Sequence, residues 1–236
     1  MAEYLDGLGA DPSLEELVRS QTRLAPVPGV PEIRLHLAAD VMSLWERTEQ
    51  AEWTGLPAAS TEAPPPYWAF AWAGGQALAR YLIDHPEVVA GRRVLDLAAG
   101  SGLVAIAAAK AGAATVIAND IEPLASAAAG LNARANAVEL TFNLRDLLDD
   151  DQVDAEVHAQ VILAGDIFYE RRTADRVLPF LLRARSHGAA VLIGDPGRAY
   201  LPHRHLERLE SYEMPVAGAL EDAETKLTSV WRLRSD

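Results

Sequence analysis

The run VLDLAAGSGLVAIAAAKAG, at residues 94–112, constrains the fold of this chain more than any other segment. It opens with a short apolar strand, passes through a glycine-containing turn and continues as an alanine-rich helix. A second apolar strand, TVIAND, follows and ends on Asp120. A strand, a tight turn, a helix and another strand in this order predict one βαβ unit with a nucleotide-type loop.

The turn of this unit differs from the fingerprint that binds dinucleotides. In that fingerprint the first glycine directly follows the strand, whereas here Asp96 comes first and Ala98, Gly100 and Gly102 follow at every second position. A carboxylate at Asp96 would repel a pyrophosphate and suits a cationic ligand instead. S-adenosylmethionine carries both a sulfonium and an ammonium, and the glycines would let the backbone approach it closely.

Asp120 strengthens the interpretation of this loop as a cofactor site. A carboxylate at the end of the second strand is placed to accept hydrogen bonds from ribose hydroxyls, as an acid at about this spacing does in Rossmann folds. The alternative is that the glycines only mark the turn from strand to helix. Carboxylates at the ends of two successive strands favour the cofactor site over that alternative.

Composition narrows the class of protein. The chain has 236 residues, of which 50% are hydrophobic and 23% charged, as expected for a single α/β domain of ordinary size. It has no Cys, which excludes disulfides and thiolate chemistry, and its N-terminus shows no targeting pattern, so we expect a cytoplasmic protein. The net charge of -13 argues against a nucleic-acid partner and favours a basic or neutral one. We also expect no membrane contact and a monomer.

Strands and helices alternate through the rest of the chain. Helical spacing over residues 12–21 and 32–50 predicts an N-terminal helical extension ahead of the sheet. The acidic segment 146–159 is expected to be only partly helical. The alternation predicts a doubly wound, mostly parallel sheet that ends in an antiparallel pair. The predicted strands cover 92–98, 115–120, 140–144, 160–167, 189–196, 214–220 and 226–234, and the predicted helices cover 102–112, 123–137 and 171–186, with another beginning at residue 75.

From about residue 65 to residue 231 the sequence resembles the seven-strand, Rossmann-like methyltransferases that use S-adenosylmethionine. More narrowly, it resembles the electron transfer flavoprotein β-subunit lysine methyltransferase family. The strings that carry the resemblance are PPYWAFAWAGGQALARYL, VLDLAAGSG, ANDIEP, GDIFYE, VLIGDPGR and TSVW. The family usually has its first loop glycine where this chain has Ala98, which should be tolerated if that backbone is in an ordinary conformation.

The resemblance implies a domain division and an activity. Residues 1–61 would form the extension and residues 62–236 the methyltransferase domain. The expected reaction is methyl transfer from S-adenosylmethionine to a lysine of the electron transfer flavoprotein β subunit. A ribosomal protein or a small amine is an alternative substrate, and a non-catalytic adenosine-binding module is an alternative from another functional class.

The string DIFY, at the end of the fourth strand of the core, carries the candidate catalytic residues Asp166 and Tyr169. In related methyltransferases this position faces the transferable methyl, and several lysine methyltransferases resemble the Asp-x-x-Tyr pattern seen here. Asp166 could instead cap the helix that starts near Glu170, and Tyr169 could be a packing ring. The resemblance also implies cofactor contacts from Trp72, Asp96, Ala98, Gly100, Gly102, Asp120, Ile121 and Asp146.

Several of these residues have simpler interpretations. Asp146 lies in the acidic run DLLDDD, and Trp72 could belong to the core, where we place Trp68. Asp195 and Arg198 in GDPGR could touch the substrate protein or could only form a turn. The histidines at 203 and 205 lack a third metal ligand, so they are read as exposed positions on a helix.

Overall fold

A computed structural model describes residues 12–40, 44, 46, 65–148, 158–216 and 224–234. A two-stranded hairpin comes first, followed by a seven-stranded sheet. The strands are β1 (Thr22–Val27), β2 (Val30–Ala38), β3 (Arg93–Leu97), β4 (Thr115–Asn119), β5 (Thr141–Asn143), β6 (Val161–Gly165), β7 (Ala190–Asp195), β8 (Leu206–Pro215) and β9 (Thr225–Leu233).

The large sheet confirms the predicted fold class. Its order is β5-β4-β3-β6-β7-β9-β8, with β3 to β7 all parallel and β9 antiparallel to both of its neighbours. The chain starts at β3 in the middle, fills one side through β5 and then returns to β6 beside β3. The carboxyl ends of β3 and β6 therefore flank the point where the strand order reverses, which is where open α/β sheets bind ligands.

Helices cover both faces of this sheet. They are α1 (Pro12–Gln21), α2 (Ala73–Asp84), α3 (Leu103–Lys110), α4 (Pro123–Ala135) and α5 (Arg171–Ser186). Successive side chains of β3 point to opposite faces of the sheet, so the core has two parts. Val94 packs with α2 and α3 on one face, and Leu95 packs with α5 on the other. Within the described ranges, no helix has the length and apolar character needed to cross a bilayer.

The predicted helix over 32–50 is wrong in its first part. Residues 30–38 form β2, in which Ile33 and Leu35 are buried and the intervening Arg34 is exposed. This is the period of two that a strand requires, and the apolar positions of LHLAADVM obscured it because they also fit a helical period. Residues 41–43, 45 and 47–64 lie outside the described residues, as does the predicted boundary between 61 and 62.

Two asparagines, Asn132 within α4 and Asn136 at its C-cap, attach the hairpin to the domain. Asn136 accepts from the Arg34 amide at 3.0 Å and donates to the Arg34 carbonyl at 2.6 Å, so it pairs with β2 as a neighbouring strand would. The Asn132 side chain accepts from His36 N at 2.6 Å and donates to the Ser101 carbonyl at 2.8 Å. The hairpin is therefore hydrogen-bonded to both α4 and the loop after β3.

The C-terminal antiparallel pair is confirmed, but its first strand begins earlier than predicted. It starts at Leu206 rather than 214, because the polar residues of 207–213 lie on an edge strand where charged side chains are tolerated. Residues 217–220 of the predicted strand lie outside the described residues. His203 is exposed and His205 half-buried on a short 3-10 turn. Among the residues described, no three potential ligands are grouped for a metal ion.

Candidate active site

Asp96 is a deeply buried acid at the carboxyl edge of the sheet. It is 1% exposed at the end of β3, and its Oδ2 accepts from Ala105 N at 2.9 Å, one turn into α3. Burial is the main cause that raises the pKa of this carboxyl to about 8; the hydrogen bond from Ala105 opposes the rise and the nearby charge of Asp120 adds to it. A cation bound beside Asp96 would offset both the burial and the Asp120 charge, so this position is suited to a positively charged ligand.

The loop after β3 has three left-handed residues, at Ala98 (φ 54°), Gly100 (φ 51°) and Gly102 (φ 76°). An ordinary backbone was the condition for tolerating Ala98, and that condition is not met, because its φ of 54° lies in the left-handed region that favours glycine. Gly102 is required for a second reason, since a Cβ there would lie 2.8 Å from Ala129 Cβ on α4. The loop thus turns tightly against α4.

Replacing Ala98 with glycine should stabilise the protein. Ala98→Gly relieves a left-handed alanine, so we expect the free energy of unfolding to rise by about 0.5–1 kcal/mol in urea titrations. Ala99→Gly is the matched control, because Ala99 has no positive φ. This variant should lose about 0.5–1 kcal/mol in the free energy of unfolding. Equal losses in both variants would contradict the strain at Ala98.

Asp120 lies directly after β4 and organises the same loop. Its Oδ2 accepts from Gly100 N at 2.9 Å and its Oδ1 from Glu122 N at 3.0 Å. Burial raises the pKa of Asp120, although these amides favour the ionised form. Ile121 beside it is 64% exposed, which leaves a large apolar side chain at the mouth of the loop.

Asp146 follows β5, the next strand outward. Its Oδ1 accepts from Leu148 N at 3.0 Å, and its Oδ2 accepts from Arg176 at 2.7 Å. Asp146 therefore stabilises its own turn and pairs with Arg176 of α5, which agrees in part with the interpretation that it is only one acid of the run DLLDDD. Its predicted contact with adenine stays a prediction.

Asp166 occupies the corresponding position after β6, in a left-handed conformation (φ 54°) and only 8% exposed. It does not cap the helix that follows, because Glu170 is the N-cap of α5. Its Oδ2 instead accepts from Gly75 N at 2.9 Å, at the start of α2. Its Oδ1 accepts from Arg198 Nη2 at 2.8 Å and from Arg198 Nε at 3.2 Å. Burial raises the pKa of Asp166, while the Arg198 charge and these bonds oppose the rise.

Close backbone packing brings α2 to this carboxylate. Gly74 of α2 touches Gly194 of β7 so closely that a Cβ on either residue would overlap the other's carbonyl. A Cβ on Gly165 of β6 would lie 3.0 Å from Gly75 Cα. The importance of these glycines was missed from the sequence, although the strings AGGQ, AGD and IGD contain the signal.

Gln76 fixes the start of α2 from the other side. Its Oε1 accepts from Gly29 N of the hairpin at 2.8 Å. Its Nε2 donates to the carbonyls of Ala71, at 2.7 Å, and Pro215, at 2.8 Å. The hairpin and the C-terminal strands therefore both help to place the amides that Asp166 accepts.

Aromatic residues lie beside Asp166 and Arg198. Tyr169 is 44% exposed, and its ring centroid lies 5.4 Å from that of Tyr67. The Tyr67 ring lies 5.9 Å from that of Trp72, whose Nε1 donates to the Tyr67 carbonyl at 2.9 Å. The Arg198 guanidinium lies 5.8 Å from the Trp72 ring centroid, so in this structure the cation on that ring is Arg198. Trp68 is buried, as predicted.

The turn interpretation of GDPGR is confirmed, and contact of Asp195 and Arg198 with the substrate protein stays a prediction. Asp195 Oδ1 accepts from Gly197 N and Arg198 N, each at 2.7 Å, which forms a side-chain-stabilised turn. That turn also directs Arg198 onto Asp166. Asp195 is 1% exposed, and burial raises the pKa of its carboxyl to about 6, with the Asp166 charge contributing.

Relatives of known name cover most of this chain. The chain is 37% identical to the electron transfer flavoprotein beta subunit lysine methyltransferase of Danio rerio, across 97% of this chain and 86% of the relative. It is 34% identical to the human protein of the same name, across 94% of this chain and 82% of the human protein. This chain belongs to the electron transfer flavoprotein beta subunit lysine methyltransferase family. Its members are named as enzymes, which favours catalysis over the alternative of a binding module.

Matches to other methyltransferases are more limited. The family model of Ribosomal protein L11 methyltransferase (PrmA) matches residues 76–169. The L11 methyltransferase of Symbiobacterium thermophilum is 46% identical but aligns with 34% of this chain and 25% of its own length. The family-model match ends at residue 169 and so does not reach Arg198, whereas the Danio rerio lysine methyltransferase aligns with 97% of this chain.

Solved structures support the fold. A protein assigned as an RNA methyltransferase from Pyrococcus horikoshii superposes with a TM-score of 0.54 at 17% identity, across 82% of this chain and 99% of its own. A protein assigned as a methyltransferase and solved with S-adenosylhomocysteine superposes with a TM-score of 0.51 at 14% identity, across 69% of this chain and 50% of its own. These similarities show that this chain has the Rossmann-like fold of these methyltransferase structures.

Proposed function

We propose that this chain transfers a methyl group from S-adenosylmethionine to a lysine side chain of the electron transfer flavoprotein β subunit. One observation carries the proposal. Buried Asp96 at the end of β3 and buried Asp166 at the end of β6 lie on strands that pair directly, with Leu97 opposite Ala164. A carboxylate suited to a cationic cofactor and one suited to a substrate amine therefore flank the same crevice.

The residues around the loop fit this cofactor. Asp96 has a buried carboxyl that a cation would stabilise, and the left-handed loop exposes backbone near Gly100. We propose that Asp96 holds the amino-acid end, Asp120 the ribose hydroxyls and Asp146 the adenine amino group. When bound, S-adenosylmethionine supplies an electrophilic methyl on its sulfonium. The remaining contacts in this proposal come from Trp72, Ala98, Gly100, Gly102 and Ile121.

The chain's own residues have to orient an amine and exclude water. A free lysine has a pKa of about 10.4, so its amine must lose a proton before it can act as a nucleophile. Asp166 is held at both oxygens and can orient the amine through a fixed hydrogen bond. Tyr169 is half-exposed at the mouth and forms a wall of the slot with Tyr67. Alignment, rather than general base catalysis, is the contribution that we assign to Asp166.

The substrate assignment rests on the family and on charge. The named relatives are lysine methyltransferases of the electron transfer flavoprotein β subunit, and a net charge of -13 suits a protein partner that presents basic residues. We further propose a cytoplasmic monomer that uses neither nucleic acid nor membrane as a partner. The lack of Cys is in keeping with a reducing compartment.

Incubation with isotopically labelled S-adenosylmethionine tests the proposed function. Electron transfer flavoprotein and ribosomal protein L11 from the same source would be supplied separately, and the modified lysines would be located by mass spectrometry. We expect label on the flavoprotein β subunit only. Label on L11 alone would establish the alternative protein substrate, and absence of label from both proteins despite tight cofactor binding would contradict the proposed function in favour of a small-amine substrate or a binding module.

Cofactor binding provides a separate prediction. By calorimetry, the chain should bind S-adenosylmethionine and not a nicotinamide dinucleotide, because Asp96 precedes the loop. Asp120→Ala should weaken that binding by about 1–3 kcal/mol, since a charged hydrogen-bond partner is lost. Glu207→Gln, on the edge strand β8, is the control and should leave affinity unchanged. Tight NAD binding without S-adenosylmethionine binding would overturn the whole proposal.

A further inference from the structure

Three charged residues from two segments of the chain form one cluster beside the proposed lysine slot. We call Asp166, Arg198 and Asp195 the charge triad. Asp166 directly follows β6 and Asp195 ends the neighbouring strand β7, since Gly165 of β6 pairs with Gly194 of β7. Arg198 ends the turn after β7 and pairs with Asp166 at 2.8 Å. The slot therefore contains a cation of the protein itself.

Asp195 holds this cation in place through the backbone. Its Oδ1 accepts from both Gly197 N and Arg198 N, so the chain direction at Arg198 is fixed. Its Oδ2 is buried and has no hydrogen-bond partner among the described residues. A carboxylate oxygen buried in this way is costly unless its charge is used, which indicates a role beyond forming a turn.

The Arg198 side chain is fixed at its other end as well. Two of its N–H groups bond the same oxygen of Asp166, and its guanidinium lies 5.8 Å from the Trp72 ring centroid. Only 21% of the side chain is exposed. Separating such a pair would leave Asp166 as an uncompensated buried charge, so an incoming lysine is not expected to displace Arg198.

This arrangement bears directly on the charge of the substrate amine. An ammonium bound beside an unpaired carboxylate would be stabilised in its unreactive, protonated form. Beside the charge triad it would instead meet a carboxylate already paired with a guanidinium. Asp166 can still accept a hydrogen bond from an uncharged amine at Oδ2, the oxygen that Arg198 does not bond, because each carboxylate oxygen has about two acceptor sites.

We propose that Arg198, positioned by Asp195, is a positioning residue that keeps Asp166 oriented and favours the uncharged, nucleophilic form of the target lysine. This inference rests on the proposed function, because it concerns the amine that would be methylated. The proton of the lysine leaves to solvent before transfer, and Asp166 keeps its pairing with Arg198 throughout. Arg198 acts through Asp166 and need not touch the amine.

Other charged or titratable groups near the triad are few among the described residues. Tyr67 and Tyr169 lie at the mouth, and burial raises the pKa of both phenols, so they stay neutral near pH 8. Glu170 acts on both tyrosines at a distance, and Asp120 acts on Tyr169. The start of α2 contributes only backbone amides. Arg198 is thus the positive charge nearest to Asp166 in this set.

Single-turnover methylation measured from pH 6 to pH 10 tests the inference. Arg198→Gln removes the positive charge, so the pH midpoint of the rate should rise by about one unit and the rate near pH 7 should fall at least about tenfold. Asp195→Asn keeps an Oδ1 acceptor for the turn but removes a negative charge, so its midpoint should fall. Arg198→Lys keeps the positive charge, so its pH midpoint should lie between that of Arg198→Gln and that of the parent chain. Arg232→Gln breaks an exposed pair with Glu207 and should match the parent chain.

Two further measurements separate this inference from simpler explanations. Calorimetric affinity for S-adenosylmethionine and the melting temperature should stay close to parental values in Asp195→Asn and Arg198→Lys. A rate lowered equally at every pH, with the midpoint unchanged, would reduce Arg198 to a structural residue and overturn the inference. If Arg198→Gln fails to fold, the direction of the Asp195→Asn shift decides the question. A parent chain that methylates no protein would refute the proposed function instead.

Discussion

Asp166→Asn should bind S-adenosylmethionine about as tightly as the parent chain and transfer the methyl about 100-fold more slowly. The carboxylate is held by Gly75 N on one oxygen and by Arg198 on the other. An amide of the same shape cannot accept at both oxygens, and its NH₂ group would face one of these donors. The geometry presented to the amine would change while the cofactor loop after β3 stays intact.

Asn is the appropriate substitute at this position. Asp166 has a φ of 54°, and Asn tolerates the left-handed region far better than Ala does. A loss of rate in Asp166→Asn is therefore not explained by a strained backbone. Single-turnover rates and cofactor dissociation constants should be measured together. An Asn variant with the parental rate would remove Asp166 from the mechanism, and parallel losses of rate and affinity would place it in the cofactor site.

Gly74→Ala should be among the most damaging small substitutions in the domain. A Cβ there would overlap the carbonyl oxygen of Gly194 and lie 2.6 Å from Asp166 Oδ2. Backbone cannot move aside as a flexible side chain can, so we expect a loss of about 3 kcal/mol in the free energy of unfolding. The surviving folded protein should also be slower, because α2 would be pushed away from Asp166.

The neighbouring glycine provides a matched control. A Cβ on Gly75 would meet only Leu103 Cδ2 at 3.8 Å and Val104 Cγ2 at 3.9 Å, which are ordinary contacts. Because Ala also has the higher helix propensity, Gly75→Ala should stay within about 1 kcal/mol of the parent chain. Urea unfolding of the two variants checks the contrast. Similar stabilities would show that the close approach of α2 to β7 is not needed.

Local patterns were enough to predict the central elements. The glycine-containing turn at residues 98–102 lies between β3 and α3 as expected, and the strands before Asp120, Asp166 and Pro196 end within a few residues of their predicted ends. Each of these signals is contained in a short window, since strand and helix periods and turn residues act over a few residues. The N-terminal hairpin was missed because the apolar residues of 30–38 satisfy both periods.

The contacts of the candidate site could not be predicted in the same way. Asp166 was expected either to face the transferable methyl or to cap a helix. The structure adds a contact that neither expectation included, with Gly75 at the start of α2, which lies 91 residues earlier in the chain. Trp72 was expected near a sulfonium, and in the structure its ring lies over Arg198. Such contacts depend on strand order and on glycine-to-glycine packing. The strings AGGQ and IGD mark the glycines, but nothing in either string specifies which residues meet.

The sequence by itself determined the fold class, the family and the positions of acids at the ends of successive strands. These properties follow from periodicity and from motifs in which neighbouring residues act together. Only the tertiary structure decided that Ala98 is left-handed and that Arg198 pairs with Asp166. The physical reason is that parallel strands bring distant segments to one edge, where burial and close backbone contact select the partner of each charge.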